Sequence, residues 1–320
     1  MQASRRLFLA SAMAMACSQA LASRSTKPIN IVVGYQAGGG TDAFARIVAE
    51  KLGSKMGQPA MVVNKPGATG AIGAAYVSSA PADGNTLLFT PGSFSHAQFI
   101  LPKNGNRLAY DPVNDFVPVA HVANVPIFLV THKSSGINSL KDVLEMRKSK
   151  NLSYATTGTG SVLHIVGERF NQMLPGEKIE HIPYKGVAPA VNDLVAGHIP
   201  LAFTSLVGVI PYLKDGTLKL LATTSAERSK FAPDTPTFKE LGFDIDMPTW
   251  FGMFAPKNTP ASVITELNQH LNDILQDPEV VRRAENMLGA EAVVSQPGDM
   301  DKLNRGDYVS YEKIISTMKF

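Results

Sequence analysis

The chain has 320 residues, enough for two domains at about 100–200 residues each. Its 44% hydrophobic and 18% charged residues are ordinary for a folded protein with ample core material. A net charge of only +3 gives no bulk basic surface for nucleic acid or membrane, and a single cysteine, Cys17, excludes an internal disulfide.

The first 22 residues read as a secretory signal. Arg5 and Arg6 form a positive n-region, Leu7 to Leu21 is apolar and rich in small residues, and Ala20-Leu21-Ala22 offers a cleavage site. A buried first helix is the alternative. Ser4-Arg5-Arg6-Leu7-Phe8-Leu9 also resembles a twin-arginine signal, leaving the Sec and Tat routes both open. Cys17 raises a lipoprotein reading that Ala14 and Met15 fit poorly. Cleavage after Ala22 removes Cys17, Arg5 and Arg6, leaving 28 basic against 27 acidic residues and no thiol for nucleophilic or metal chemistry.

Beyond this segment, strand-like and helix-like runs alternate, which predicts an α/β fold with largely parallel sheets. Ile29 to Gly34 reads as a buried strand. A helix capped by Thr41 or Asp42 runs to about Met56, with Ala45, Ile47, Val48 and Leu52 on its apolar face. Ala60 to Val63 is a second strand, a helix ends near Ser79, and Thr86 to Phe89 is a third strand. Phe116 to His132 holds two strands broken at Asn124-Val-Pro126, a first crossing between lobes.

The second lobe repeats this grammar. Helices at Ser139 to about Lys148, Ser161 to about Met173 and Ala188 to Ala196 alternate with strands at Leu152–Ala155, Ile179–Pro183, Pro200–Thr204 and Leu218–Thr223. Trp250 to Ala255 returns the chain to the first lobe. Helices then follow at Pro260 to Leu275, Pro278 to Leu288 and Pro297 to about Thr317. The expected lobes are 23–124 plus 225–320, and 125–224, with the return crossing somewhere in 224–250.

Three glycine-rich turns join strands to helices: Tyr35-Gln-Ala-Gly-Gly-Gly-Thr-Asp42, Asn64-Lys-Pro-Gly-Ala-Thr-Gly-Ala-Ile-Gly73 and Thr156-Thr-Gly-Thr-Gly-Ser161. Tyr184-Lys185-Gly186 forms a fourth helix entrance. Helix N-termini carry unpaired N–H groups and the positive end of the dipole, so turns on two lobes suit an anion held between them. The Gly34–Thr41 turn lacks the lysine of a nucleotide-binding P-loop, none of the turns reads G-x-G-x-x-G, and Gly92-Ser93 is no G-x-S-x-G elbow. The seven histidines show no metal-ligand spacing, so neither a metal nor another cofactor is expected. An exported hydrolase or isomerase would have to use Ser161 or Ser93 as nucleophile with His164 as base, and no third triad member is evident.

Eight ordered motifs carry a resemblance. They are A-G-G-x-T-D at Ala37–Asp42, N-x-P-G-A-x-G at Asn64–Gly70, P-x-D-G-x-T-L-L at Pro81–Leu88, Y-D-P-x-x-D-F-x-P-V at Tyr110–Val119, G-x-G-S-x-x-H at Gly158–His164, P-Y-K-G-x-x-P-A at Pro183–Ala190, Trp250-Phe-Gly-Met-Phe-Ala-Pro256 and Asp277-Pro-Glu-Val280. From Lys27 to the last helix, the chain resembles the Bug or TctC family, the extracytoplasmic solute receptors of tripartite tricarboxylate transporters.

The resemblance implies a bilobed periplasmic binding protein of type II, with two α/β domains around mixed sheets joined by a two-segment hinge. It implies a periplasmic, monomeric, non-enzymatic receptor that holds a small organic carboxylate and passes it to membrane subunits of the TctA/TctB kind. A sensor for a signalling partner is the other use of such a cleft. Carried over, the first-lobe ligand residues are Tyr35, Ala37, Gly39, Gly40, Thr41, Asp42, Gly67, Ala68, Thr69, Gly70 and Ser93. The facing lobe adds Thr156, Thr157, Gly160, Ser161, His164, Tyr184, Lys185 and Thr204. Tyr35 and Gln36 stand where Phe and Pro are common, and Thr204 stands where an Asp often follows the phenylalanine. That last change argues against a ligand needing an ammonium partner.

Overall fold

Ile29-Asn-Ile-Val-Val33 is apolar except for Asn30 and almost wholly buried, as a strand covered on both faces requires. In the computed structural model, which describes residues 27–101 and 108–318, it forms β1 (Ile29–Val33). There follow α1 (Gly40–Met56), β2 (Ala60–Asn64), a 3-10 turn at Ala68–Gly70, α2 (Ala71–Ser78), β3 (Thr86–Pro91), α3 (Ser93–Ile100) and β4 (Phe116–Val125). The next run is β5 (Phe128–His132), α4 (Leu140–Met146), β6 (Ser153–Thr156), α5 (Val162–Met173), β7 (Glu180–Pro183), α6 (Val187–Val195), β8 (Leu201–Thr204), α7 (Ile210–Lys214) and β9 (Leu218–Thr223). β10 (Thr249–Pro256), α8 (Ala261–Leu275), α9 (Pro278–Arg283), β11 (Glu291–Ala292) and α10 (Pro297–Ser316) complete it. The signal segment with Cys17 lies outside the described residues.

The strands form two mixed sheets, ordered β11-β4-β10-β3-β1-β2 and β7-β6-β8-β5-β9. In the first, β1 is parallel to β2 and β3, whereas β10 is antiparallel to β3 and β4. In the second, β6 is parallel to β7 and β8, whereas β5 is antiparallel to β8 and β9. This is the expected α/β architecture of two lobes, each with its own core. Phe44, Phe89 and Phe251 meet in the first, and Phe170, Phe203 and Phe238 in the second.

The hinge has two strands of chain lying side by side. β4 passes to β5 through Pro126 and Ile127 alone, and Val125 pairs with Thr249 while Phe128 pairs with Thr223. The Thr224 N–H donates to the Ile127 carbonyl at 2.9 Å, and the Met247 N–H donates to the Thr224 carbonyl at 2.8 Å. Phe238, Ile245 and Met247 pack into the second core, so the stretch before β10 stays with the second lobe before the chain returns.

Two local expectations are corrected, and one helix, α3, was not anticipated. Gly39, not Thr41 or Asp42, occupies the N-cap of α1, and Asp42 sits in the first turn, reaching back to the Gly38 N–H. α3 carries no amphipathic signal, because Ser93, Phe94, Ser95, His96, Ala97 and Ile100 are all buried and burial on every face erases the helical period. The helix expected from Pro278 to Leu288 is regular only to Arg283, then widens into a π turn that stops at Gly289, whose φ is +56°.

Candidate functional site

The N-terminal ends of α1, α2, α5 and α6 converge on one cavity of about 540 Å³ between the sheets. Each helix starts at a residue that frees the backbone to turn. Gly39 heads α1, Gly67 the 3-10 turn before α2, and Gly186 heads α6, all three without a side-chain cap. The opening N–H groups of such ends lack an intrahelical acceptor, although the Gly70 N–H donates to the Gly67 carbonyl at 3.0 Å within its own turn. At α5 Ser161 is the cap, accepting the His164 N–H at 3.2 Å.

The second turn is strained. Gly67, Ala68, Thr69 and Gly70 all have positive φ, at +133°, +47°, +54° and +93°. For Ala68 and Thr69 this costs on the order of 1–3 kcal/mol each and persists only where the surroundings impose it. Tyr35 imposes it: its hydroxyl donates to the Thr69 carbonyl at 3.0 Å and also bonds Ser93 Oγ. Burial pushes the Tyr35 phenol up to about 12, against the lowering effect of the Ser93 bond, so it stays a donor. Thr69 Oγ1 in turn donates to the Thr159 carbonyl at 3.0 Å, joining the lobes across the cleft.

Of the expected residues, Tyr35, Ala37, Gly39, Gly40, Thr41, Gly67, Ala68, Thr69, Gly70, Ser93, Thr157, Ser161 and Lys185 line the cavity. Six others are absent from the lining, and all but Thr204 are held by bonds elsewhere. Asp42 is 3% exposed, with its oxygens taken by the Gly38 N–H, Arg46 and Asn64. Thr156 Oγ1 bonds His181 Nε2 at 2.7 Å, and the Gly160 N–H donates to His164 Nδ1 at 3.0 Å. The Tyr184 hydroxyl donates to Asp193 at 2.6 Å, and the buried Thr204 Oγ1 has no hydrogen-bond partner among the described residues.

The hinge supplies a floor that the motifs did not indicate, made by Val125, Ile127, Thr249 and Phe251. Such positions look like ordinary strand core in sequence. Among the described residues, Lys185 is the one charged side chain on the lining.

Gly34, at the end of β1, was also unmarked. A Cβ there would lie 2.6 Å from both Cα and O of Gly70, so the first two turns touch backbone to backbone. Gly34→Ala is therefore expected to cost about 1–3 kcal/mol and to separate the two turns. Urea unfolding and calorimetric titration would check this, and unchanged ligand affinity in the variant would contradict it.

The match to known proteins covers nearly the whole chain. The model of the tripartite tricarboxylate transporter family receptor matches residues 44–319. The chain is 36% identical over 276 residues to BugT of Bordetella pertussis, covering 85% of this chain and 83% of BugT. Among solved structures it is similar to the periplasmic binding protein BugD, at 31% identity and TM-score 0.84 over 92% of this chain and 98% of that one. It is also similar to an R. palustris protein solved with adipate, at 31% identity and TM-score 0.85 over 92% of this chain and 98% of that one. MatC of Rhodopseudomonas palustris, solved with bound malate, gives 29% identity and TM-score 0.81 over 90% of this chain and 98% of that one. BugD is a periplasmic binding protein, two of the others were solved with a carboxylate, and no described helix of this chain is long and apolar enough to cross a membrane. The chain belongs to the tripartite tricarboxylate transporter receptor family, the Bug or TctC solute-binding proteins.

Proposed function

We propose that this receptor captures a small organic carboxylate in the interlobe cavity, gripped by backbone N–H groups of the α1 entrance and of the 67–70 turn with ordered water, and hands it to the membrane subunits of its transporter. The observation that carries the reading is the convergence of uncapped helix N-termini from both lobes on a cavity whose lining, among the described residues, contains no acidic side chain. Hydrogen bonds to an ionised group net about 1.5–3 kcal/mol each. Three or four of them, less the cost of association, support binding near −8 kcal/mol, or roughly micromolar. Because Thr157, Ser161 and Lys185 belong to the second lobe, only the closed form completes the set, and ligand draws the open–closed equilibrium toward closure. The first lobe is assigned to 23–124 with β10 and the helices after it, and the export signal to residues 1–22.

The test is calorimetric titration at pH 7 with succinate, malate, adipate and benzoate, with small-angle scattering for closure and NMR of the recovered compound. Binding near micromolar with a fall in radius of gyration and intact ligand is expected. Turnover of the compound would reject the receptor reading, and a silent panel would reject carboxylates.

A further inference from the structure

We infer that the Tyr35 hydroxyl is a positioning group that holds Thr69 where its side chain latches the two lobes together, and that this latch sets how long the receptor keeps a ligand of any chemistry; the effect on affinity rests on the carboxylate reading above.

The latch joins first-lobe side chains to second-lobe backbone. Thr69 Oγ1 donates to the Thr159 carbonyl at 3.0 Å, which commits its one hydroxyl hydrogen. Because the two residues stand on opposite lobes, the bond exists only when the cleft is closed. The next residue, Gly160, has a φ of +81°, and a Cβ there would lie 2.8 Å from Ile100 Cγ2. Ile100 ends α3, is 2% exposed and packs within the second core. Residues 159 and 160 of the third turn are therefore held by two first-lobe elements, the 67–70 turn and α3. Tyr35 ties those two elements to each other. Its hydroxyl donates to the Thr69 carbonyl at 3.0 Å and bonds Oγ of Ser93, the first residue of α3. A phenyl ring in its place would make neither bond, and Ala68 and Thr69 would be free to relax from positive φ. That relaxation moves the Thr69 hydroxyl away from Thr159, so removing a hydroxyl on β1's exit loop loosens a contact on the facing lobe.

Hydrogen exchange on the protein alone reads the latch, and binding reads its consequence. Thr69→Val keeps the side-chain shape, and Tyr35→Phe keeps the ring. In both, the amides of residues 158–161 are expected to exchange at least about threefold faster than in the parent. Thr69→Ser restores the hydroxyl and should exchange like the parent. Calorimetry and stopped-flow mixing with succinate, adipate and benzoate should show each variant weakened by about threefold to tenfold. The factor is expected to be the same for every acid the parent binds, and to come from faster release with association unchanged. In the Tyr35→Phe, Thr69→Val double variant the two losses should not add, because both act through one contact. Parental exchange rates in Thr69→Val overturn the latch. Factors that differ between acids overturn it as well, since a group touching the ligand discriminates among ligands, and additive losses overturn the positioning role of Tyr35. If the parent binds none of the acids, carboxylate capture falls and the claim on affinity falls with it, while the exchange rates still decide the latch.

Discussion

Acidification from pH 7 to pH 5 is expected to remove about 4 kcal/mol of folding stability, chiefly through histidines rather than carboxylates. Three histidines are held neutral in the fold. Burial pushes His96 down to about 3, burial together with the neighbouring His181 pushes His164 down to about 3, and burial pushes His181 down to about 4. His96 is fully buried, stacks on Tyr311 at 4.2 Å and has neither ring nitrogen hydrogen-bonded among the described residues. His164 and His181 stack at 3.7 Å, where two positive rings would repel.

The sign follows from the direction of the shifts. The unfolded chain takes up a proton at each histidine below about 6.5, while the folded chain refuses it until its own, lower value is reached. Stability is complete above about pH 6.5 and falls below it at about 1.4 kcal/mol per pH unit for each excluded proton. At pH 5 this is about 2 kcal/mol for each of the two most buried rings; His181, less buried, adds less. Asp307, which burial raises against its bond from Trp250 Nε1, works in the opposite direction near Tyr311 and trims the loss. Urea titrations at pH 7, 6 and 5 measure it. His96→Phe keeps the ring stack, removes two unpaired buried nitrogens and should flatten the pH dependence by about one proton. Equal stability at pH 7 and pH 5 would show that the rings protonate freely in the fold.

Those histidines also mark what the sequence made visible. The G-x-G-S-x-x-H run placed His164 beside the third turn, and in the structure it holds Gly160 in place from behind rather than facing a ligand. Its stacking partner His181, seventeen residues away on β7, carried no motif. The glycine turns were legible because positive φ leaves few residue choices, and the two lobes because parallel strands with helical crossovers write a regular alternation. The hinge floor was not legible. Val125, Ile127, Thr249 and Phe251 are strand residues of the kind that fill any core, and only the pairing of Val125 with Thr249 brings them under the cavity. Gly34 was hidden for the same reason, since what demands glycine there is contact with Gly70, distant in sequence.

Asp42→Ala is expected to lower stability by about 2–3 kcal/mol and ligand affinity by at least about tenfold, although Asp42 does not face the cavity. Its carboxylate is the knot that fixes both first-lobe turns. Oδ2 accepts from the Gly38 N–H at 3.0 Å and from Arg46 Nε at 3.0 Å. Oδ1 accepts from Arg46 Nη2 at 2.9 Å and from Asn64 Nδ2 at 2.8 Å. Asn64, at the head of the second turn, also donates to the Tyr35 carbonyl of the first at 3.1 Å. Truncation leaves the Gly38 N–H and one Asn64 donor site without their acceptor, and both turns lose their common anchor. The ion pair itself contributes little of this, because the Arg46 side chain is 52% exposed and screened by solvent. Arg46→Ala should accordingly be milder than Asp42→Ala, and Asp42→Asn, which keeps one acceptor oxygen, should lie between them. Burial alone would raise the Asp42 carboxyl, but the bonds from Arg46, Gly38 and Asn64 and the guanidinium charge together bring it below its ordinary value. Its contribution is present above about pH 4 and is lost only as pH falls through the depressed folded value. Between pH 5 and pH 7, therefore, the loss in Asp42→Ala should be constant while the histidine effect changes around it. If the variant binds the tightest carboxylate of the panel as well as the parent does, Asp42 does not position the turns, and the grip on the ligand must come from the second lobe.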